Sequence, residues 1–107
     1  MLKIGGIIMS FIDFTSITLK MLIDSHILKP GQVIYPMKGK MKVEGVLNED
    51  GTISMTINTK IRHFLSPSGA AKAVENKSVN GWIYWGVKEN NALVELSTFR
   101  LKFKEGL

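Results

Sequence analysis

Two stretches in the middle of the chain alternate apolar with mostly polar residues, which is the pattern of β-strands that bury one face. The first covers residues 41–47 and the second 53–57, and an Asp50-Gly51 turn signal separates them. Period-2 runs on both sides of such a turn predict an antiparallel hairpin. A further short strand is expected over residues 61–65.

A helix is predicted before this hairpin. Thr15 or Ser16 can cap its first turn by accepting a free backbone N–H. Apolar residues then follow at helical spacing and form one stripe, made of Leu19, Leu22, Ile23 and Ile27. Pro30 and Gly31 end the segment, because proline cannot continue a helix and glycine accepts a positive φ.

A second helix is predicted over residues 67–77. Ser66 is a suitable N-cap, and Pro67 brings a φ that already fits the first helical position. Small residues follow on one face and would allow a close approach to a sheet: Ala70, Ala71, Ala73 and Val74.

The remaining segments have strand patterns. Residues 82–88 and 92–96 are expected to pair across a turn at 89–91. The last segment alternates apolar with basic residues, which predicts a strand with one exposed basic face made by Arg100, Lys102 and Lys104. Because consecutive strands favour antiparallel pairing, we predict one α+β domain, mainly an antiparallel sheet with two packed helices.

Composition narrows the classes of function. The chain has 107 residues, enough for one domain, and a net charge of +5, which favours an anionic partner such as nucleic acid. The absence of cysteine excludes disulfides and thiolate zinc sites and agrees with a cytoplasmic location. The apolar stretch at residues 4–12 is shorter than the roughly 20 residues that span a bilayer. It is expected to be a strand or an ordered arm, and no membrane association is predicted.

Two motifs carry a family resemblance. Ser66-Pro67-Ser68, followed by two alanines, starts the second helix, and Asn80-Gly81-Trp82 with Trp85 comes downstream. Together they resemble the SPSxAA and NGWxxW segments of the RAMA domain (Restriction enzyme Adenine Methylase Associated).

The upstream sequence is similar to the same family. Leu22-Ile23 leading to Pro30-Gly31 resembles the opening of the RAMA domain, and Asp50-Gly51-x-Ile53 resembles its central hairpin. The likeness covers residues 18–96. One departure precedes the SPS motif, where the family often has a glycine and an aromatic and only Phe64 matches here.

The resemblance implies a division of the chain and a role. The division is an N-terminal arm or strand over residues 1–14, a RAMA-like domain over 15–97 and a basic extension over 98–107. The role is a non-catalytic DNA-binding module that reads N6-methyladenine in a restriction-modification or defence context. The alternative is a protein–protein adaptor that docks a restriction or methylase partner.

Aromatic residues near the second motif are candidates for base contact. In a regular strand, Trp82 and Tyr84 would share one face, and Trp85 would lie on the more apolar face. Trp85 is therefore expected in the core. Trp82 could belong to the core or could contact an extruded or single-stranded base.

Polar and basic residues complete the predicted nucleic-acid-binding set. Ser66 and Ser68 lie at a helix N-terminus that suits a phosphate, although simple capping is their commoner role. Asn80 could bond to an adenine edge or could only form a turn. The basic members, which could contact phosphate or simply be solvated, are Arg62, Lys40, Lys42, Lys72 and Lys77.

No catalytic, metal or cofactor site is expected. His26 and His63 are far apart, without carboxylates at metal-ligand spacing. The acidic residues are scattered, and no glycine-rich phosphate loop is present.

Overall fold

The computed structural model describes residues 13–38 and 42–106. Within them, six strands form one sheet in the order β4-β3-β2-β1-β5-β6, and every neighbouring pair is antiparallel. The strands are β1 (Val33–Pro36), β2 (Gly45–Leu47), β3 (Ile53–Ile57), β4 (Lys60–Phe64), β5 (Trp85–Glu89) and β6 (Ala92–Glu95). The helices are α1 (Leu19–Asp24), α2 (Pro67–Glu75), α3 (Gly81–Tyr84) and α4 (Leu96–Glu105), with a 3-10 turn at Phe14–Ser16.

This architecture confirms the α+β class and the antiparallel sheet. The arm or strand predicted for residues 1–14 falls outside the described residues except for its last two positions. Among the helices that are described, none is long and apolar enough to cross a membrane.

The sheet has one face covered by helices and one face open to solvent. Ile34, Leu47 and Ile53 point into the core and are at most 1% exposed. Their strand neighbours alternate to the other side, where Val46 is 37% and Ile61 is 70% exposed. The period-2 pattern of the sequence thus marks the buried face correctly.

Strand β1 joins the two halves of the sheet and was not predicted. Ile34 at its centre pairs with Gly45 on one side and Val87 on the other. A Cβ on Gly45 would lie 2.9 Å from side-chain atoms of both Ile34 and Ile53, so the glycine leaves room for this central isoleucine. The strand has only four residues and ends at Pro36, too short a run to show a period.

The predicted hairpins are confirmed. The β2–β3 turn has Gly51 at φ 86°, and its Asp50 accepts hydrogen bonds from the Thr52 backbone N–H and hydroxyl. Strands β5 and β6 pair across Asn90 and Asn91, at φ 51° and 68°. Two central residues with positive φ are typical of two-residue turns whose twist matches that of the strands.

The strand predicted at the C-terminus is wrong, because residues 96–105 form helix α4. Leu96, Phe99 and Phe103 recur at helical spacing and pack toward the core. Arg100 lies on the same stripe and is only 8% exposed, so the predicted exposed basic face does not include it. Lys102 and Lys104 instead lie in the last turn, where cations favour the helix dipole.

Two other local predictions are corrected. The strand expected from residue 82 begins at Trp85, because Asn80 caps a helical turn by accepting from the Trp82 N–H at 3.0 Å. The cap of α1 is Thr18, whose Oγ1 accepts from the Met21 N–H, so Thr15 and Ser16 do not cap it.

The start of α2 was predicted correctly. Ser66 is its N-cap and Pro67 its first residue, but the helix ends at Glu75 rather than at residue 77. Asn76, at φ 59°, terminates it in the left-handed conformation that favours asparagine.

The SPS and NGW motifs form one packing unit. Ser68 Oγ accepts a hydrogen bond from the Gly81 N–H at 2.9 Å, and Trp85 Nε1 donates to the Pro67 carbonyl at 3.0 Å. A Cβ on Gly81 would lie 2.0 Å from the backbone carbon of Pro67. Only glycine therefore lets α3 approach the first turn of α2 this closely.

We expect Gly81→Ala to destabilise the protein by roughly 1–3 kcal/mol, because the new methyl meets backbone that cannot rotate away. Gly69→Ala is the matched control within α2. Its Cβ would meet only the Ser66 hydroxyl at 3.3 Å, and alanine favours a helix. Urea unfolding of both variants tests this prediction. Equal unfolding midpoints would contradict the close contact between Gly81 and the Pro67 backbone.

Candidate nucleic-acid-binding site

A cavity of about 420 Å³ opens where widely separated segments meet. The segments are the 3-10 turn region, the start of α1, the β2–β3 turn, the β4–α2 junction, α3 and α4. We call this cavity the Trp82–Arg100 pocket, and its lining is Thr15, Thr18, Leu19, Lys20, Asp50, Gly51, Thr52, Leu65, Ser66, Pro67, Trp82 and Arg100.

Arg100 is the buried cation of this pocket. Its guanidinium carbon lies 3.6 Å from the ring centroid of Trp82, a cation–π contact. Its Nε donates to the Ile17 carbonyl at 2.9 Å and its Nη2 to the Thr15 carbonyl at 3.3 Å. In the described part of the chain, the one salt bridge joins Lys20 and Asp24. Arg100 therefore forms no salt bridge with a carboxylate of the described residues.

Arg100 Nη1 makes no hydrogen bond to the residues that the structure describes. Burial lowers the pKa of Arg100 and Asp13 raises it, but a guanidinium stays charged in either case.

The rest of the lining adds an acceptor and an apolar rim. Hydrogen bonds from Thr52 hold the pKa of Asp50 below its ordinary value, so its carboxylate is an acceptor at neutral pH. Leu65 also lines the cavity and is 90% exposed, so it adds an apolar side chain at the surface. Cation, anion and apolar wall together suit a planar heterocycle that has both donors and acceptors.

Two predicted site residues line this pocket, and two lie beside it. Trp82 is 8% exposed and Ser66 caps α2 by accepting from the Gly69 N–H. Ser68 and Asn80 use their side-chain oxygens for the backbone N–H groups of residues 81 and 82. All four therefore have structural hydrogen bonds or packing, in addition to any contact with a ligand.

Tyr84 lies outside the pocket lining. Its hydroxyl donates to Glu75 Oε2 at 2.6 Å, and its ring meets Trp85 edge to face at 4.9 Å between centroids. Burial, with Glu75 adding to it, raises the pKa of Tyr84. Trp85 itself is 0% exposed, which confirms its predicted place in the core.

Of the predicted basic residues that the structure describes, none lines the Trp82–Arg100 pocket. Lys72 and Lys77 are exposed on and after α2, and Arg62 is exposed on β4, 4.9 Å from the Phe64 ring centroid. Lys42 lines a different cavity, of about 790 Å³, on the open face of the sheet. Lys40 lies outside the described residues.

Sequence reasoning missed Arg100, Leu65 and Asp50 as members of the site. For Arg100 a signal exists, because it follows Leu96 by four residues on the stripe that Phe99 and Phe103 continue. A charged residue on the apolar face of a helix predicts a buried charge with a specific role. Nothing local to Leu65 or Asp50 indicates that the two meet at one pocket.

Metal binding has no support in the described ranges, 13–38 and 42–106. No group of three or more histidine or acidic side chains there could hold an ion.

A known family model matches most of this chain. Residues 10–103 match the family model described as RAMA, Restriction Enzyme Adenine Methylase Associated. The chain belongs to the RAMA family. No curated protein matches it.

Membership ties this RAMA domain to restriction-modification systems, as an associated domain rather than as a catalytic family. The family match continues past residue 96, where the motif resemblance stops, to residue 103. Arg100 therefore lies within the matched region, as do Trp82 and Leu65.

The Tyr84–Glu75 bond predicts a pH dependence. A phenol whose pKa is raised by folding ionises first in the unfolded chain, so its contribution to stability is present below the ordinary pKa of 10.0 and declines above it. Tyr84→Phe should cost roughly 1 kcal/mol at neutral pH and should weaken this alkaline decline. Tyr35→Phe, the matched control, should retain it in urea unfolding measured between neutral and alkaline pH.

We expect Arg100→Met to destabilise the RAMA domain by about 2 kcal/mol, because the Ile17 and Thr15 carbonyls lose a charged donor. Lys102→Met removes an exposed cation from the same helix and should change stability by no more than about 0.5 kcal/mol. Denaturant midpoints check both. A denaturant midpoint that Arg100→Met leaves unchanged would show that the 3-10 turn does not depend on this side chain.

Proposed function

We propose that this RAMA domain is a non-catalytic DNA-binding module that reads modified adenine, with N6-methyladenine as the base, in a restriction-modification context. The observation that carries the proposal is the Trp82–Arg100 pocket. It joins a buried guanidinium to an aromatic ring and to the exposed aliphatic side chain of Leu65.

The lining complements the edges of adenine. Adenine presents ring-nitrogen acceptors and an exocyclic N6–H donor. Arg100 Nη1 can donate to a ring nitrogen, and the Asp50 carboxylate can accept the single N6–H that remains after methylation. The methyl group would then lie against the apolar side chain of Leu65, which is 90% exposed.

The charge of the chain supports attraction to the DNA backbone. The net charge is +5, Lys72 extends from α2, the helix whose first turn lines the pocket, and Lys77 lies just after that helix. Each phosphate neutralised by such a lysine releases condensed counterions, which favours binding at low salt.

A second candidate, an adaptor for a restriction or methylase protein, is favoured by a different feature. The open sheet face holds the 790 Å³ cavity, with Tyr35 and two exposed aliphatic side chains, Val46 and Ile61, in its lining. Uncovered apolar side chains on a sheet are a common basis for protein docking.

The test is binding of the purified protein to matched DNA duplexes, with and without N6-methyladenine, across a salt series. We expect a preference for the methylated duplex. The double variant Lys72→Gln/Lys77→Gln should make the slope of log affinity against log salt concentration less negative by about 1–2 units. Lys88→Gln, an exposed lysine whose strand position faces the open side of the sheet, is the matched control and should leave the slope unchanged.

Equal binding to both duplexes would reject the reading of methylated adenine and retain DNA binding. Absence of binding at low salt would reject the DNA-binding module and favour the adaptor.

A further inference from the structure

Trp82 is recessed and one of its ring faces is already occupied. The side chain is 8% exposed, and the Arg100 guanidinium lies 3.6 Å from its ring centroid. The ring also borders the Trp82–Arg100 pocket. A ligand must therefore enter the pocket to touch Trp82.

A base within an intact duplex cannot make this entry. Its faces are stacked on its neighbours, and only its edges are accessible in the grooves. To enter a recess, a base has to leave the stack, either because an enzyme or reader extrudes it or because the strand is single.

We propose that the Trp82–Arg100 pocket takes one unpaired nucleobase, and that this domain therefore binds DNA with a single-stranded or locally opened site in preference to fully paired duplex. The inference rests on the proposed DNA-binding function and specifies the state of the DNA that the site accepts.

The charges of the lining favour a base over a phosphate. Asp50 brings a carboxylate to the pocket, and Lys20, the second cation of the lining, is 3.0 Å from Asp24 in an ion pair. The Asp50 carboxylate disfavours an anion in the pocket, whereas a base offers an N–H to it and an acceptor to Arg100. Phosphates on either side of the base would remain outside the cavity, where solvent screens Asp50.

The experiment compares three DNAs of one sequence by fluorescence anisotropy at fixed low salt. They are the paired duplex, the same duplex with one adenine opposite an abasic site, and the single strand. We expect the second and third to bind about tenfold or more tightly than the first, because the domain no longer has to unpair and unstack a base.

Leu65→Ala tests the pocket without endangering the fold, since this side chain is 90% exposed. It should reduce the preference for unpaired DNA at least threefold. Ile61→Ala is the matched control. Ile61 is 70% exposed on β4, the strand that precedes Leu65, and is directed to the open face of the sheet. It should leave the preference intact.

Intrinsic fluorescence gives a second readout. Trp82 borders the pocket and Trp85 is 0% exposed, so a base in the pocket should quench the emission of Trp82 alone. Quenching should occur with the single strand, and it should be lost in Trp82→Phe and when the strand carries only abasic sites.

The outcomes separate the two proposals. Binding that is equal for all three DNAs, or unaffected by Leu65→Ala, overturns the unpaired-base inference and leaves DNA binding in place. Quenching by a wholly abasic strand overturns it as well. Absence of binding to every DNA overturns both proposals.

Discussion

The contact between the first turn of α2 and the backbone of Gly81 is the constraint on which the rest of this domain depends. Gly81 lies so close to Pro67 that a single added carbon would be 2.0 Å from backbone. Two hydrogen bonds stabilise the contact. The Gly81 N–H donates to Ser68 Oγ, and Trp85 Nε1 donates to the Pro67 carbonyl. Because Trp85 also starts β5, this junction fixes the helical layer to the sheet.

The same junction gives structural roles to the residues of the SPS and NGW segments in this chain. In SPS, the first serine caps the helix, the proline carbonyl receives the Trp85 N–H, and the second serine receives the Gly81 N–H. In NGW, the asparagine caps the next turn. Most of the conspicuous polar residues of the motifs thus have structural hydrogen bonds. The feature that points to a ligand is instead a pocket at their margin.

Arg100 links that pocket to the stability of the fold. Burial of a guanidinium is costly, and its hydrogen bonds to Ile17 and Thr15 and its contact with Trp82 offset part of that cost. The side chain therefore holds the 3-10 turn region against α4 and also lines the cavity. Binding chemistry and packing are combined in one residue.

The α+β class, the buried face of the hairpin strands and the start of α2 could be predicted from local sequence, because turn residues, caps and period-2 alternation act over a few neighbouring positions. The remaining features depend on contacts between distant segments. Phe99, Leu101 and Phe103 fit a strand, yet Leu96, Phe99 and Phe103 fit a helix equally well, and packing against the core selected the helix. The pocket joins segments separated by up to 85 positions, as in the Arg100–Thr15 bond, and no local pattern reports which distant side chains a compact core brings together.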